Sequence, residues 1–525
     1  MEALRTVRID KRFGRVWANR AVSLTVAAGT IHGLVGENGA GKSTIMSIVY
    51  GSVRAEGGEI RVDGRRLDGH GPREAIAAGI GMVHQHFMLV ESFSALENLM
   101  LGAEGGCGLG PGRARARAAL ARLGRDYGLE VPAEGPVAEL PVGVRQRLEI
   151  LKALHRGARL LILDEPTAVL TPGETGHLFT ILRALAAEGR TVILISHKLK
   201  EIMAVTDRVT VMRRGAVVHE TATAETSADR LAEAMVGQPV SLALSRPPAE
   251  PGAPVLEVEG LEVRDDRGRS RVRGLGFQVR AGEIVGIAGV SGNGQSELLE
   301  ALAAMRPLAA GRVTVGGRPL PADAAAARRA GIAHVPEDRL RFGLLAALPA
   351  WENDLLGAAG GVMLHPGRAM AASGARMAAY DIRPAEPRLP AGDFSGGNQQ
   401  KLVLAREIGR RPALLLVGQP TRGVDIGAVA FIHRQLLALR AAGTAILLVS
   451  AELDELLGLA DRILVMFEGR IVGERPAAAA ERDLGLMMAG AGGRPGSVRA
   501  GEADQHERSA EDREDQPSQL PEGRD

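Results

Sequence analysis

The chain has 525 residues, enough for two to four domains at about 150 residues each. It is 45% hydrophobic and 24% charged, a balance that can bury sizeable cores, and its net charge of +2 excludes the overall electrostatic footprint of a nucleic-acid binder. A single cysteine, Cys107, excludes an intrachain disulfide, no apolar run reaches the roughly 18 residues of a membrane span, and Met1–Arg5 lacks a signal-peptide pattern, so a soluble chain is expected.

In chain order, the first informative stretch is the apolar run Ile31–Val35, which reads as a buried strand. It leads into Gly36-Glu37-Asn38-Gly39-Ala40-Gly41-Lys42-Ser43, followed by Thr44 and a helical stretch. This is the Gly-x4-Gly-Lys-Ser pattern in the strand-to-helix context that a phosphate loop requires. The glycines let backbone N–H groups turn onto phosphate oxygens, and the helix N-terminus adds its positive end. Lys42 would reach the β- and γ-phosphates and the Ser43 hydroxyl would ligate Mg²⁺. The chain has only six lysines, Lys11, Lys42, Lys152, Lys198, Lys200 and Lys401, so one inside a motif is less readily coincidence. Gln85 follows a short apolar run and by itself says little. Cys107 falls in a Gly-rich run and reads as an incidental loop residue.

Arg145–Leu154 and Gly176–Ala187 have helical character. Between them the apolar strand Leu160–Leu163 ends in Asp164 and Glu165, a metal-holding carboxylate and a general base for water. The next apolar run, Thr191–Ser196, is closed by His197, at a strand end where it could contact the γ-phosphate. Strands alternating with helices predict an α/β domain with a largely parallel sheet.

Residues 238–254 form a short, Pro-rich linker, and beyond it the pattern repeats. Gly79–Gln85 resembles Gly331–Glu337, Pro166-Thr167 matches Pro420-Thr421, and Asp207-Arg208-Val209 matches Asp461-Arg462-Ile463, at a steady offset of 252 to 254 residues. The expected organisation is therefore a first domain at 1–237, the linker, a second domain at 255–490, and a disordered, charged and Gly-rich tail at 491–525.

The order of phosphate loop, glutamine, glycine-bearing motif, Asp-Glu strand end and histidine resembles the ATPase subunit of an ABC transporter, over about residues 4–488. The resemblance implies two tandem P-loop ATPase domains, each with a mainly parallel sheet and a helical subdomain. It assigns adenine stacking to Phe13, metal contact and catalysis to Gln85, and the signature motif to Leu140–Arg147 in the first copy. There Pro141 and Val142 replace the signature's serine and first glycine. The second copy has the fuller version, Phe394-Ser395-Gly396-Gly397-Asn398-Gln399.

The second copy has lost other groups. Gln295 stands where Lys42 does, Gly418-Gln419 replaces Asp164-Glu165, Ala451 replaces His197, Glu337 replaces Gln85, and Asp266 lies opposite Phe13. In this family the domains pair head to tail. One site would then combine the first copy's loop, Gln85, Asp164, Glu165 and His197 with Ser395, Gly396, Gly397, Asn398 and Asp425 of the second. The other would combine a depleted loop with a depleted signature, with Thr171 where Asp425 stands. Losses sorted in this way predict one working ATP- and Mg²⁺-dependent site.

Two fused halves, with Gly81–Val90, Leu140–Val144 and Gln419–Asp425, look most like the nucleoside and simple-sugar importer branch. That resemblance implies two membrane permease subunits, an extracytoplasmic solute-binding protein, no nucleic acid, and a peripheral place on the cytoplasmic face of the membrane. Phe87, Met88 and Leu89 would help receive a permease helix. The rival is a twin-domain ABC translation factor acting on ribosomes, which would carry a long charged helical linker and two competent sites.

Overall fold

In a computed structural model, the structure describes residues 1–14, 16–67, 69–85, 87–103, 109–167, 170–237, 246–290, 292–358, 364–488 and 490. Cys107, the first part of the linker and the tail at 491–525 lie outside the described residues.

The elements of the first half, from strand Glu2–Phe13 to helix Ala228–Val236, recur in the second from strand Pro254–Arg264 to helix Glu481–Met488. Each half carries a four-stranded antiparallel sheet and a six-stranded sheet. In the six-stranded sheet of the first half, Ile80–Val83, Leu160–Asp164, Thr191–Ile195, Ile31–Gly36 and Arg208–Arg213 run parallel in that order. Only the edge strand Ala216–Ala222 is antiparallel, closing a hairpin with Arg208–Arg213. The central strands are buried at every residue, which is why they read as continuous apolar runs rather than alternating ones.

Two cores flank this sheet. On one face, Leu34, Ile162 and Ile193 of the strands share a core with Ile45, Met46 and Val49 of the helix Lys42–Val49, and Leu4, Ile9, Val22 and Leu24 of the antiparallel sheet close it. On the other face the helices Val142–His155, Pro172–Ala187 and Ala228–Val236 bury Ile150, Leu182 and Leu231 against Val35, Leu163 and Leu194. Helix starts follow local chemistry. Thr171 caps Pro172–Ala187 in a box with Glu174, and Asp425 caps the matching helix Ile426–Ala441 through Ala428 N–H at 2.8 Å.

The halves touch reciprocally. Gly485 in the last helix of the second half lies against the Pro172 ring of the first. Val236 in the last helix of the first half lies against Gly427, and Ile426 packs on the first half's core. Equivalent helices thus exchange places, the contact pattern of a pseudo-twofold pair. The described part of the linker is anchored to the second half, where Arg440 donates to the Pro247 carbonyl and pairs with Asp461.

Candidate functional site

The parallel sheet gathers the sequence-predicted groups at the carboxyl ends of adjacent strands. Ile31–Gly36 delivers the loop, Thr191–Ile195 delivers His197, Leu160–Asp164 delivers Asp164 and Glu165, and Ile80–Val83 leads to Gln85.

The loop closes tightly on the helix Lys42–Val49. Gly41 has φ 98°, and a Cβ there would lie 2.1 Å from the Ala18 carbonyl oxygen, so only glycine fits. Asn19 Nδ2 donates to the Gly41 carbonyl at 3.1 Å and fixes this turn. Lys42 is buried, with Nζ donating to the carbonyls of Gly36 at 2.8 Å and Glu37 at 3.0 Å. Burial lowers its pKa, against the pull of Glu165, Asp164 and Glu37. Those carbonyls hold the ammonium over the loop, where a phosphate would take it up.

Asp164 is buried beside the Ser43 hydroxyl; burial raises its pKa and the Ser43 hydrogen bond works against the rise. Glu165 adopts φ 49° and anchors its N–H on the Ile195 carbonyl at 2.9 Å. Its carboxylate is gripped from both sides. Gln85 Nε2 donates to Oε2 at 2.9 Å, and His197 Nδ1 to Oε1 at 2.9 Å. Burial pushes this carboxyl up, but the His197 bond and the charges of His197, Lys42 and Lys198 outweigh it and hold Glu165 below the ordinary glutamate range. Glu165 is therefore an ionised, oriented carboxylate.

In the second half, Ser395 stands at the N-cap position of the helix Gly396–Ile408 without a side-chain bond to the helix backbone, and its hydroxyl accepts from Asn398 Nδ2 at 2.8 Å. A Cβ on Gly397 would lie 2.6 Å from Asp425 Oδ2, so the signature and Asp425 are in contact. Asp425 also reaches the first half electrostatically. Burial first, and then Asp425, raises the pKa of Glu37 in the first half's loop. Phe13 sits at a hairpin tip, about half exposed, with the Lys11 ammonium 5.2 Å from its ring centroid. Met88 is exposed, whereas Leu89 is partly buried against the small core of Ala95, Val137 and Leu148.

The second half's own loop is built differently. Gln295 is buried and its Nε2 has no hydrogen-bond partner among the described residues. Gln419 repeats the backbone of Glu165, with φ 45° and its N–H on Val449, but its side chain accepts from the Ala451 N–H at 3.2 Å. Ser296 donates to Glu337 at 2.6 Å. A Cβ on Gly418 would lie 2.6 Å from Glu337 Cγ and 2.8 Å from Leu299 Cδ1, so the space of the Asp164 carboxylate is filled.

Two site-shaping residues escape sequence reading. Asn19 carries no motif. Arg339, in a short π-helical turn, bonds Gln399 Oε1 at 3.2 Å and the Arg422 carbonyl at 3.0 Å, tying the signature helix to the segment before Asp425. The Asp338-Arg339 dipeptide is its sequence trace, meaningful only once the fold places it.

The model of the ABC transporter family matches residues 19–168 and 272–422. The guanosine import ATP-binding protein NupO of Bacillus subtilis is 46% identical over 92% of this chain and 96% of its own length. The nucleoside import ATP-binding protein NupA of Lactococcus lactis is 41% identical over 93% of this chain and 98% of its own. A glucose import ATP-binding protein of Haloferax volcanii is 45% identical over 93% and 96%. With two matched cassettes in one polypeptide and the loop, carboxylates and histidine assembled at one sheet edge, the chain belongs to the ABC transporter family, as an ATPase with two fused domains.

Proposed function

We propose that this chain is the ATP-hydrolysing subunit of an importer for a nucleoside or simple sugar, working through one composite site. The first half supplies Lys42, Ser43, Gln85, Asp164, Glu165 and His197, and the second supplies Ser395, Gly396, Gly397, Asn398 and Asp425. The observation that carries this reading is the pair of unequal strand ends: Glu165 is a carboxylate held by Gln85 and His197, while Gln419 is a carboxamide bonded to backbone. The influence of Asp425 on Glu37 supports the head-to-tail pairing.

The residues present suit Mg²⁺. Ser43, Asp164 and Gln85 offer hard oxygen ligands, with the Ser43 hydroxyl beside the Asp164 carboxylate. No cluster of three His, Cys, Asp or Glu side chains able to cage a metal exists among the described residues, so the ion would arrive with the nucleotide phosphates. Bound there, it supplies charge neutralisation on the β- and γ-phosphates. Lys42 binds the phosphates, Glu165 orients water and takes its proton, His197 holds Glu165 in register, and Ser395 and the Gly397 N–H close on the γ-phosphate. Phe13 stacks on the adenine.

The relatives named for guanosine, nucleoside and glucose import support a cargo of that class; the partners of such a subunit would be two membrane permeases and an extracytoplasmic binding protein. No described helix is long and apolar enough to cross a membrane, so the chain would sit peripherally on the cytoplasmic face, bound to the permeases rather than to nucleic acid. The test is uptake of radiolabelled guanosine, adenosine, glucose and ribose by cells lacking the chain. Loss of one of these, restored by wild type and not by Glu165→Gln, is expected. Unchanged uptake of all four, with the chain sedimenting with ribosomes, would replace this reading with the translation-factor one.

A further inference from the structure

Lys198, the residue after His197, places Nζ 2.8 Å from Glu452 Oε2 of the second half and 3.8 Å from Glu201 Oε1 of its own. Lys200 pairs with Asp454 two residues further on. Both pairs join positions 254 apart, the offset of the repeat itself. In a pair of domains related by a twofold axis, a residue that meets its own equivalent lies on the axis. The segments 198–200 and 452–454 therefore run along the pseudo-twofold, directly behind the residue that grips Glu165.

Position on the axis has a charge consequence. If two first halves paired, Lys198 and Lys200 would meet Lys198 and Lys200. If two second halves paired, Glu452 and Asp454 would meet themselves. Each like pairing sets equal charges face to face, and only first-with-second is complementary. The surroundings reinforce this sorting. Glu201 is itself largely shielded from solvent, accepts from Thr167 Oγ1 at 2.6 Å and Ser196 Oγ at 3.1 Å, and shares the Lys198 ammonium with Glu452. Its equivalent, Glu455, is instead held through Oε1 by His433 at 3.0 Å, with Oε2 left without a partner among the described residues, and position 452 carries a glutamate. Lys200 and Asp454 are mostly exposed and add orientation more than strength.

We propose that Lys198–Glu452, aided by Lys200–Asp454, is an axial charge clasp that commits the first half to pair with a second half and rejects a first half from another copy of this chain. The clasp deepens the head-to-tail reading but stands on its own contacts, and its test leaves Ser395 and the phosphate loop untouched.

The full chain, in a Cys107→Ser background with one dye on each half, gives inter-half energy transfer and ATPase rate from the same sample. Glu452→Lys sets Lys198 against a lysine. We expect lower transfer and an about tenfold slower turnover at low salt, both recovering as rising ionic strength screens the repulsion. Adding Lys198→Gln to Glu452→Lys removes the repulsion and should restore most of the loss, while Lys198→Gln alone costs about two- to threefold. Wild-type transfer and turnover in Glu452→Lys at low salt would overturn the clasp, as would a double variant no better than Glu452→Lys. Normal transfer in these variants with loss of activity only in Ser395 variants would leave the composite site standing without it.

Discussion

The two halves repeat one order of elements with largely different side chains, and the contrast at the strand ends shows one scaffold carrying two different wirings. Gly41 and Gly294 both sit at left-handed φ against a facing carbonyl, and Glu165 and Gln419 share the same unusual φ near 45–49°. The scaffold of the site thus persists in both. What differs is the wiring. In the first half Lys42 lies on the loop carbonyls and Glu165 is bonded twice by side chains. In the second Gln295 is buried with its Nε2 unpartnered among the described residues, Gln419 is bonded to Ala451 backbone, and the volume at Gly418 is taken by Glu337 and Leu299. The volume at the second strand end is thus filled as well as lacking the carboxylates.

The largest effect should come from giving the first half the second half's base. Glu165→Gln keeps the Gln85 and His197 neighbours but cannot accept a proton, and turnover should fall by about a hundredfold or more, with nucleotide binding retained. ATP binding by fluorescence alongside phosphate release checks both halves of that statement; near-normal phosphate release would break the contrast. The reverse exchange, Gln295→Lys with Gly418→Asp and Gln419→Glu, should create no second turnover, read in a Glu165→Gln background. Gly418→Asp alone overpacks against Glu337 and Leu299 and should cost about 1–3 kcal/mol by denaturant unfolding.

A smaller difference lies under the loops. On the central strand the first half has His32, fully buried with Nε2 2.8 Å from Thr210 Oγ1, where the second has Val285 in one apolar core with Leu464. Burial, then Arg208, lowers the His32 pKa from 6.5 to about 4. The unfolded chain binds the proton first, so stability is full above pH 6.5 and declines as pH falls toward 4, by about 3 kcal/mol at the lower end. Importing the second half's pair, His32→Val with Thr210→Leu, should lessen the slope of the unfolding-midpoint profile between pH 6.5 and 4, leaving the share of His334, whose pKa burial also lowers to about 4. An unchanged slope would mean another group carries the acid sensitivity.

Much of the site was legible because its groups terminate apolar runs. A buried strand ending in Asp164-Glu165 or His197 can place them only at the sheet's carboxyl edge, and the loop's glycines and Lys42 are contiguous. The strand order, and hence the meeting of Gln85 with Glu165 across 80 residues, comes from sheet assembly, which no local pattern encodes. Asn19 on Gly41 and Arg339 on Gln399 were invisible for the same reason. The axial lysines were visible only as two members of a short lysine list, since their meaning depends on a twofold axis that exists after the halves pair. The resemblance gives Asp425 a place at the nucleotide site. The structure adds a helix cap to its place beside Gly397, so its carboxylate has two neighbours to serve.

The central claim is that the second half's signature completes the first half's site. Ser395→Pro tests it directly, because it installs the first half's own residue. Pro141 occupies the matching cap with φ −53°, and Ser395 at φ −61°, ψ 155° already has a backbone that proline accepts. Steady-state ATP hydrolysis by the full chain, with unfolding measured in parallel, should fall by about a hundredfold while stability is nearly unchanged. Wild-type hydrolysis in Ser395→Pro would contradict the account, because the first half would then hydrolyse ATP without its partner's signature.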